Sequence, residues 1–384
     1  MLRLRTSLVP LALLVLAAGS AAQVVRKVPQ DFPTIQGAVD ASSDSDQIVI
    51  SAGTYAENVV ITKLSFLNIT CKGKVVIAPA AGVGLLLDGA TSCYTEKLRL
   101  LGGNNGIKLV GSSNNVFFKC RVDDTVGDGI RIEGGLGNQL ITCTIKHAGS
   151  DAVSLAAGSP DFTDANLVVA CKFLEPGDDG VELNGNSNVI DGCQTVKANG
   201  DGYEIDNTTL GTGNHIQNSK AVKPLGAGVI VTGDGNRLNN LKITGAGGNA
   251  VEVNGGTDTR IESSKFTKPG GNGLLCTGEA AFLTDSKISK PGGNGVWQQG
   301  DTATISGNKV SGAGGNGFKI DADDGSYTGN SSTGAQGNGF DLTGATGNTL
   351  SENKAKGSKG FDLNDPNPGA NNVDETNDFK TVGP

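Results

Sequence analysis

Four aspartates, Asp128, Asp151, Asp179 and Asp201, recur at one position of a repeating pattern. If the pattern stacks the chain in coils, neighbours in that column stand one strand spacing apart, about 4.8 Å, and repel by roughly 3 kcal/mol at an effective dielectric of about 20. Asparagine, which fills the same position from Asn249 to Asn338, would serve the turn without that cost. The same stretch adds Asp123, Asp124, Glu175, Asp178, Glu182, Glu204 and Asp206. Oxygens this dense are what a calcium ion needs. The competing reading is a run of solvated turns with no ion, and the residues alone leave both open. A hard cation beside a sugar carboxylate would stabilise the charge that builds as the α-proton leaves, and a base would take that proton. Arg131, Lys197 and His147 are the candidate bases, His147 lying between Asp124 and Glu175 in its own turn column. Hydrolysis would instead need two carboxyl groups about 5 to 9 Å apart, which Glu182 and Glu204 are close enough to supply.

Two further features suit a sugar polymer. Lys220, Lys242, Lys265, Lys287 and Lys309 recur at one exposed position of five successive repeats. Such a row is complementary to a linear polyanion, although lysines also serve solubility and edge protection. Trp297 falls in another exposed column, where a sugar ring could stack or a loop could cover it. The net charge of −8 argues against a general nucleic-acid binder. It does not exclude an acidic polysaccharide partner, because charge can be segregated by face.

What must position these residues is a stacked repeat. Asn272, Asn294, Asn316 and Asn338 are spaced by 22, and the frame extends from Val83 to Lys359 in twelve steps averaging 23 residues. A fixed period of this size means a solenoid. Each step holds an apolar–polar–apolar triplet such as Ile130-Arg131-Ile132, Val181-Glu182-Leu183 or Phe318-Lys319-Ile320. Strict alternation is a strand with one buried face, so the middle residue faces solvent. Two more short strands per step, as in Gln139-Leu140-Ile141 and Lys265-Phe266, complete a coil. Gly, Asn and Asp between them are expected in left-handed turns. Three short strands per coil make an all-β, right-handed parallel β-helix solenoid of about 13 coils of roughly 22–23 residues. A β-propeller would need periods of roughly 40 to 50.

Residues 1–22 have the form of a secretory signal peptide: Arg3 and Arg5, the apolar run Leu11 to Leu16, then small residues to a cleavage point near Ala22. The expected location is therefore secreted, periplasmic or at the cell surface, with no membrane insertion. Residues 23–62 form the N-terminal cap and first strands. There Thr34 N-caps an amphipathic helix with Ile35, Ala38 and Val39 on one face. The solenoid is expected over 63–363 and a capping tail over 364–384, in a monomeric protein. The cysteines fall in columns, Cys71 with Cys93, and Cys120, Cys143, Cys171 and Cys193 together. In-register neighbours point their Cβ atoms the same way at about 4.8 Å, longer than the usual disulfide separation, which favours a reduced ladder.

The segment DFPTIQGAVDA at 31–41, followed by IVISAGTYAENVVI at 48–61, resembles the N-terminal cap of the right-handed parallel β-helix superfamily that includes pectin lyases and pectin methylesterases. Methylesterase catalytic motifs are absent. GDDGVEL at 177–183 is similar to the calcium-binding run of family-nine pectate lyases, although its last acid is Glu. That resemblance implies Asp178, Asp179 and Glu182 as calcium ligands, to which the acidic column adds Asp201. The functional expectation is an exported protein acting on or binding an acidic polysaccharide, as a polyuronide lyase or C5-epimerase. The alternative is a non-catalytic secreted or cell-envelope protein that binds glycans or serves a structural role.

Overall fold

The computed structural model describes residues 23–156, 164–206 and 212–383. Residues 1–22, expected to be a signal peptide, lie outside the described residues. The apolar–polar–apolar triplets form strands that lie parallel and in register. Ile130–Glu133, Val153–Ala156, Val181–Leu183, Tyr203–Ile205 and Val229–Val231 are consecutive members of a sheet of fifteen. Val181 and Leu183 are buried and Glu182 looks outward, as the alternation requires.

The other two strands of each coil bury only their middle residue, as in Gln139–Ile141 and Lys172–Leu174. We refer to the three ladders as the triplet sheet, the middle sheet (which contains Gln139–Ile141) and the lysine sheet (which contains Lys172–Leu174). The middle and lysine sheets merge into one 28-stranded sheet through two long strands near the N-terminus, Gln47–Tyr55 and Asn68–Ile77. Val, Ile, Leu and Phe from all three ladders fill a single continuous core. No helix among the described residues is long and apolar enough to cross a membrane.

The solenoid has about sixteen turns rather than thirteen. The regular frame from Val83 to Lys359 leaves out the coil of Val59–Thr62, which precedes it, and the strand Val382–Gly383, which follows it and pairs in parallel with Leu363–Asn364. The last coil also slips by two residues, so that Asn364 rather than Asp362 stands beside Asp341. The cause is that Asn338 Oδ1 accepts from the N–H of Phe361, leaving two extra residues in the turn before it.

The six-residue helix Ile35–Asp40 covers the first coil. Thr34 caps it, accepting from the Gly37 N–H, and Ile35, Ala38 and Val39 are its buried face. Both oxygens of Glu57 accept from the N–H groups of Ile35 and Gln36 at 2.9 Å. The Gln36 carboxamide bonds the N–H and C=O of Val60 at 2.7 and 3.1 Å. A side chain thus pairs with the open edge of the triplet sheet, where an unpaired strand would otherwise recruit another chain.

Left-handed backbone does not fall where the repeat of Gly-Asn and Gly-Asp suggested. The positive-φ columns hold Asp124, His147, Glu175 and Lys197 at one corner and Lys119, Thr142, Ala170 and Asn218 at another. The Asp and Asn of the repeat are absent from those columns. They are used for their side-chain oxygen, and the glycine after them is required by space. A Cβ on Gly129 would stand 2.3 Å from Ile145 Cγ2, and one on Gly273 would stand 2.4 Å from Ile288 Cγ2.

The seven cysteines are free. Cys120, Cys143, Cys171 and Cys193 form the expected ladder. The N–H of Cys143 points at Cys171 Sγ (3.3 Å) and that of Cys171 at Cys193 Sγ (3.4 Å). Ser219, Ser264, Ser286, Asn308 and Asn330 continue the same service further along. Cys71 and Cys93 do not share a column, because Asn68 pairs with Tyr94 and places Leu67 level with Cys93. Burial pushes the Cys71 thiol up to about 12 and that of Cys93 up to about 11.

Two outcomes follow. Asn330→Ala removes the acceptor for the Asn308 N–H and the donor to Ile305 O. It should lower the free energy of urea unfolding by about 1–3 kcal/mol, whereas exposed Gln336→Ala should change it little. Ellman's reagent at pH 8 should find essentially no reactive thiol in the native protein and all seven after denaturation. Rapid native labelling would contradict the reduced, buried ladder.

Candidate active site

Each aspartate of the column does the work an asparagine does elsewhere. One oxygen of Asp128 accepts from the N–H of Asp151 (3.3 Å), one of Asp151 from Asp179 (2.9 Å), and one of Asp179 from Asp201 (2.6 Å). Asn249, Asn272 and Asn294 accept from the following coil in the same way. The difference is the second atom. Asparagine offers an N–H there, and aspartate offers another acceptor. The result is two overlapping groups, Asp151 with Asp178 and Asp179, and Asp179 with Asp201 and Glu204. Within each, the carboxylate oxygens lie within 4.8 Å of one another. Asp151 and Asp179 are buried.

Packing acids this closely changes their protonation. Burial, with the charges of Glu182, Asp128 and Asp179, raises Asp151 to about 8. Burial, a hydrogen bond to Asp179 and the charges of Asp179, Asp201 and Asp206 raise Glu204 to about 9. Asp201 rises to about 6, again chiefly by burial, and Asp178 is raised too. At neutral pH Asp151 and Glu204 therefore hold protons. The cluster is a set of carboxylic acids beside carboxylates, or the oxygen cage of a hard cation that would displace those protons.

Of the residues expected to act here, Asp178, Asp179 and Asp201 do converge, and Asp151 and Glu204 join them. Glu182 stands aside. Its carboxylate accepts from Ser154 Oγ (2.8 Å) and Asn184 Nδ2 (2.9 Å), close enough to act on Asp151 and Asp178 by charge. Arg131 borders the cluster, with Nη1 2.9 Å from Asp128 Oδ2 and Nε 2.6 Å from Glu133 Oε1. His147 and Lys197 lie in the left-handed corner column. There His147 Nδ1 meets Asp124 (2.9 Å), its Nε2 meets Glu175 (3.3 Å), and Lys197 pairs with Glu175 (2.9 Å). All three candidate bases are held by carboxylates.

The residues expected to bind substrate divide between two sheets. Lys220, Lys242, Lys265 and Lys287 are exposed and in register on the lysine sheet. Trp297 belongs to the triplet sheet, between Leu275 and Lys319. The Trp297 Nε1–H donates to Asp321 Oδ2 (2.8 Å), and Lys319 Nζ sits 4.2 Å from the ring centroid. Trp297 shares its face with Glu204, four strands away through Ile230, Glu252 and Leu275, which is about 19 Å at the usual strand spacing. The inclusion of Glu204 was signalled by its place in the triplet column next to Glu182. Its separation from Glu182's role depended on which way each side chain turned.

A family model described as the right-handed beta helix region matches residues 51–169, 81–236 and 227–379. No curated protein sequence matches the chain. Among solved structures, the catalytic domain of a GH87 alpha-1,3-glucanase in complex with nigerose superposes with a TM-score of 0.62 at 15% identity, over 78% of this chain and 66% of that domain. Tailspike protein 3 of bacteriophage CBA120 gives 0.57 at 13% identity, over 89% of this chain and 58% of the tailspike. The receptor binding domain of the siphovirus 9NA tailspike gives 0.51 at 13% identity, over 87% of this chain and 74% of that one. At such identities the likeness is one of fold, and the chain spans just under two thirds of the glucanase domain.

The raised acids make a pH signature. Asp151 and Glu204 keep protons in the folded chain that they lose when unfolded, where their values are 3.8 and 4.5. Their contribution is whole below about pH 4 and drains away as pH rises through about 8 to 9. The melting temperature should therefore fall from pH 5 to pH 9, and Asp151→Asn and Glu204→Gln should each flatten the slope. Calcium added at pH 8.5 should restore part of the loss in the parent protein and less in Asp179→Asn. A melting temperature independent of pH would contradict this account of the cluster.

Proposed function

We propose, from the premise that the chain belongs to the right-handed β-helix family, that it is a polysaccharide-processing enzyme whose reactive centre is the carboxyl cluster and whose reaction is glycoside hydrolysis. The observation that carries this reading is the pair formed by Glu204, protonated near neutrality, and Asp179, hydrogen-bonded to it. An acid that keeps its proton can deliver it to a glycosidic oxygen while a neighbouring carboxylate attacks the sugar carbon or stabilises its charge. Asp179 and Glu204 stand in hydrogen-bond contact, nearer than the about 5 Å of the retaining type, so the pair must open to admit a glycosidic bond. Ile230, Leu275 and Trp297, with Glu252 between the first two, lead away from the cluster along the triplet sheet and offer apolar faces to sugars. The glucanase sharing this fold has been solved as two variants, each lacking one of two consecutive aspartates, with sugars bound. Asp178 and Asp179 are such a consecutive pair.

An acidic sugar at this centre would face Asp128, Asp179 and Glu182, so a neutral glycan fits better unless a cation intervenes. The second reading supplies that cation. The two oxygen groups favour calcium, and elimination or C5-epimerisation of a polyuronide would follow, with Arg131, His147 or Lys197 released from its ion pair to act as base. The N-terminal segment supports export in either case.

Residues 23–384 should be tested on α-1,3-glucan, polygalacturonate and alginate, with calcium and with chelator. New reducing ends with no absorbance at 235 nm are expected, and Glu204→Gln and Asp179→Asn should each slow the reaction by about 10²- to 10⁴-fold. A calcium-dependent rise at 235 nm would replace hydrolysis with elimination. No product on any substrate would overturn the enzymatic reading in favour of glycan binding.

A further inference from the structure

The lysine ladder has a counterpart that the triplet periodicity does not reveal. On the middle sheet, His215, Arg237 and Arg260 occupy one outward position of three successive coils. Lys220, Lys242 and Lys265 occupy the neighbouring outward column of the same coils, on the lysine sheet. Between the two columns lie the outward residues Gln217, Asn239 and Glu262 at the end of the same strands and the corner residues Asn218, Asn240 and Ser263, with Asn240 bonded to Asn218 along the corner (2.8 Å).

Apart from Arg260, which pairs with Asp258 (2.8 Å), the arginine and lysines of these two columns have no ion pair among the described residues. Elsewhere on the lysine sheet, some basic residues are neutralised in place: Arg99 and Arg121 both pair with Asp123, and Lys354 pairs with Asp378. Among the described residues, Lys220, Lys242, Lys265, Lys287, Lys309 and Arg237 have no ion pair. Like charges one strand spacing apart repel, and these strands are interior to the sheet, where edge protection is not needed.

The arginine column is also shaped. A cleft of about 100 Å³ is lined by His215, Gln217, Arg237, Asn239, Arg260 and Glu262, with Leu238 at its base. Arg260 is fixed in two ways, its guanidinium 4.3 Å from the Phe282 ring centroid and its Nη2 bonded to Asp258 (2.8 Å). Its Nε is buried without a partner. Arg237 is exposed beside it. The cleft therefore presents guanidinium donors for an anion together with Gln217, Asn239 and Glu262, which suit hydroxyl groups.

We propose that the edge formed by His215, Arg237 and Arg260 on one side and Lys220, Lys242 and Lys265 on the other binds a linear polyanionic glycan. The chain runs along the solenoid axis with about one carboxylate or sulfate ester per coil, at a site separate from the carboxyl cluster. Coils advance by about 4.8 Å, close to the advance of one sugar residue in an extended 1,4-linked chain, so charge can match charge over many repeats. A single-stranded nucleic acid fits less well. Its binding relies on aromatic side chains that stack the bases, and the aromatic ring beside this edge, Phe282, is covered by Arg260.

The test is titration of the full mature chain with polygalacturonate and with heparin, at low and at moderate salt. The parent protein should bind at least one of them, with affinity falling steeply as salt rises. Arg237→Gln/Arg260→Gln and Lys242→Gln/Lys265→Gln should each weaken binding by ten-fold or more, whereas Asp179→Asn should retain it. Arg237→Gln alone, at an exposed position, gives a partial loss that cannot be ascribed to misfolding. Failure of the parent to bind either polymer would overturn the proposal, as would full affinity in both double variants. Equal binding of a thymidine oligonucleotide, lost in the same variants, would replace the glycan with nucleic acid. Hydrolysis by the cluster should persist in Arg237→Gln/Arg260→Gln, so the two proposals fail independently.

Discussion

Each coil hands a side-chain oxygen or sulfur to a backbone N–H of its neighbour, and the rest of the structure depends on that handover. Strand pairing satisfies the peptide groups within the three sheets, but every coil must also turn three corners, where buried N–H groups have no strand partner. Columns of asparagine, serine, cysteine and aspartate fill those vacancies at one residue per coil. Asn115, Asn138, Asn166, Asn188 and Asn214 do so at one corner, and the cysteine-to-asparagine column does so at another. An unmet buried N–H costs about as much as a whole hydrogen bond contributes, so the register cannot drift.

That constraint produces the reactive cluster. The backbone asks only for an oxygen at the corner before the triplet sheet, and either asparagine or aspartate supplies it. Four successive aspartates satisfy the backbone as well as asparagine does. Asp151, Asp179 and Asp201 also bring carboxylate oxygens close to one another, to Asp178 and to Glu204, whereas Asp128 Oδ2 is taken by Arg131. The solenoid holds these acids at a spacing they would not choose in water. Burial first, and that crowding second, make Asp151 and Glu204 retain their protons. A fold that repeats its geometry so closely can build a site by changing one residue type in one column over a few coils.

The same stacking segregates charge. A net charge of −8 is compatible with an acidic centre at one corner and an unneutralised basic edge at another, because the sheets between them keep each column to its own face. The late coils, nearly uniform in sequence, carry this basic edge.

The period, the alternation of the triplets, the lysine register and the N-terminal helix with its Thr34 cap were determined by sequence alone. Each is local or strictly periodic, and periodic burial leaves its trace at every coil. The acidic column was legible for the same reason. Other features were decided only in three dimensions. Whether Glu182 or Glu204 joined the cluster depended on the hydrogen bonds of Ser154 and Asn184, which no spacing records. Lys220 and Trp297 share a period but not a sheet, because two columns can repeat in step on different faces. The slip at Phe361 and the mismatch of Cys71 with Cys93 came from turns of altered length, where a single backbone bond to Asn338 or Leu67 outweighed the count of residues. The arginine column beside the lysines was hidden because His215, Arg237 and Arg260 are different residue types, and only strand pairing shows that they are neighbours.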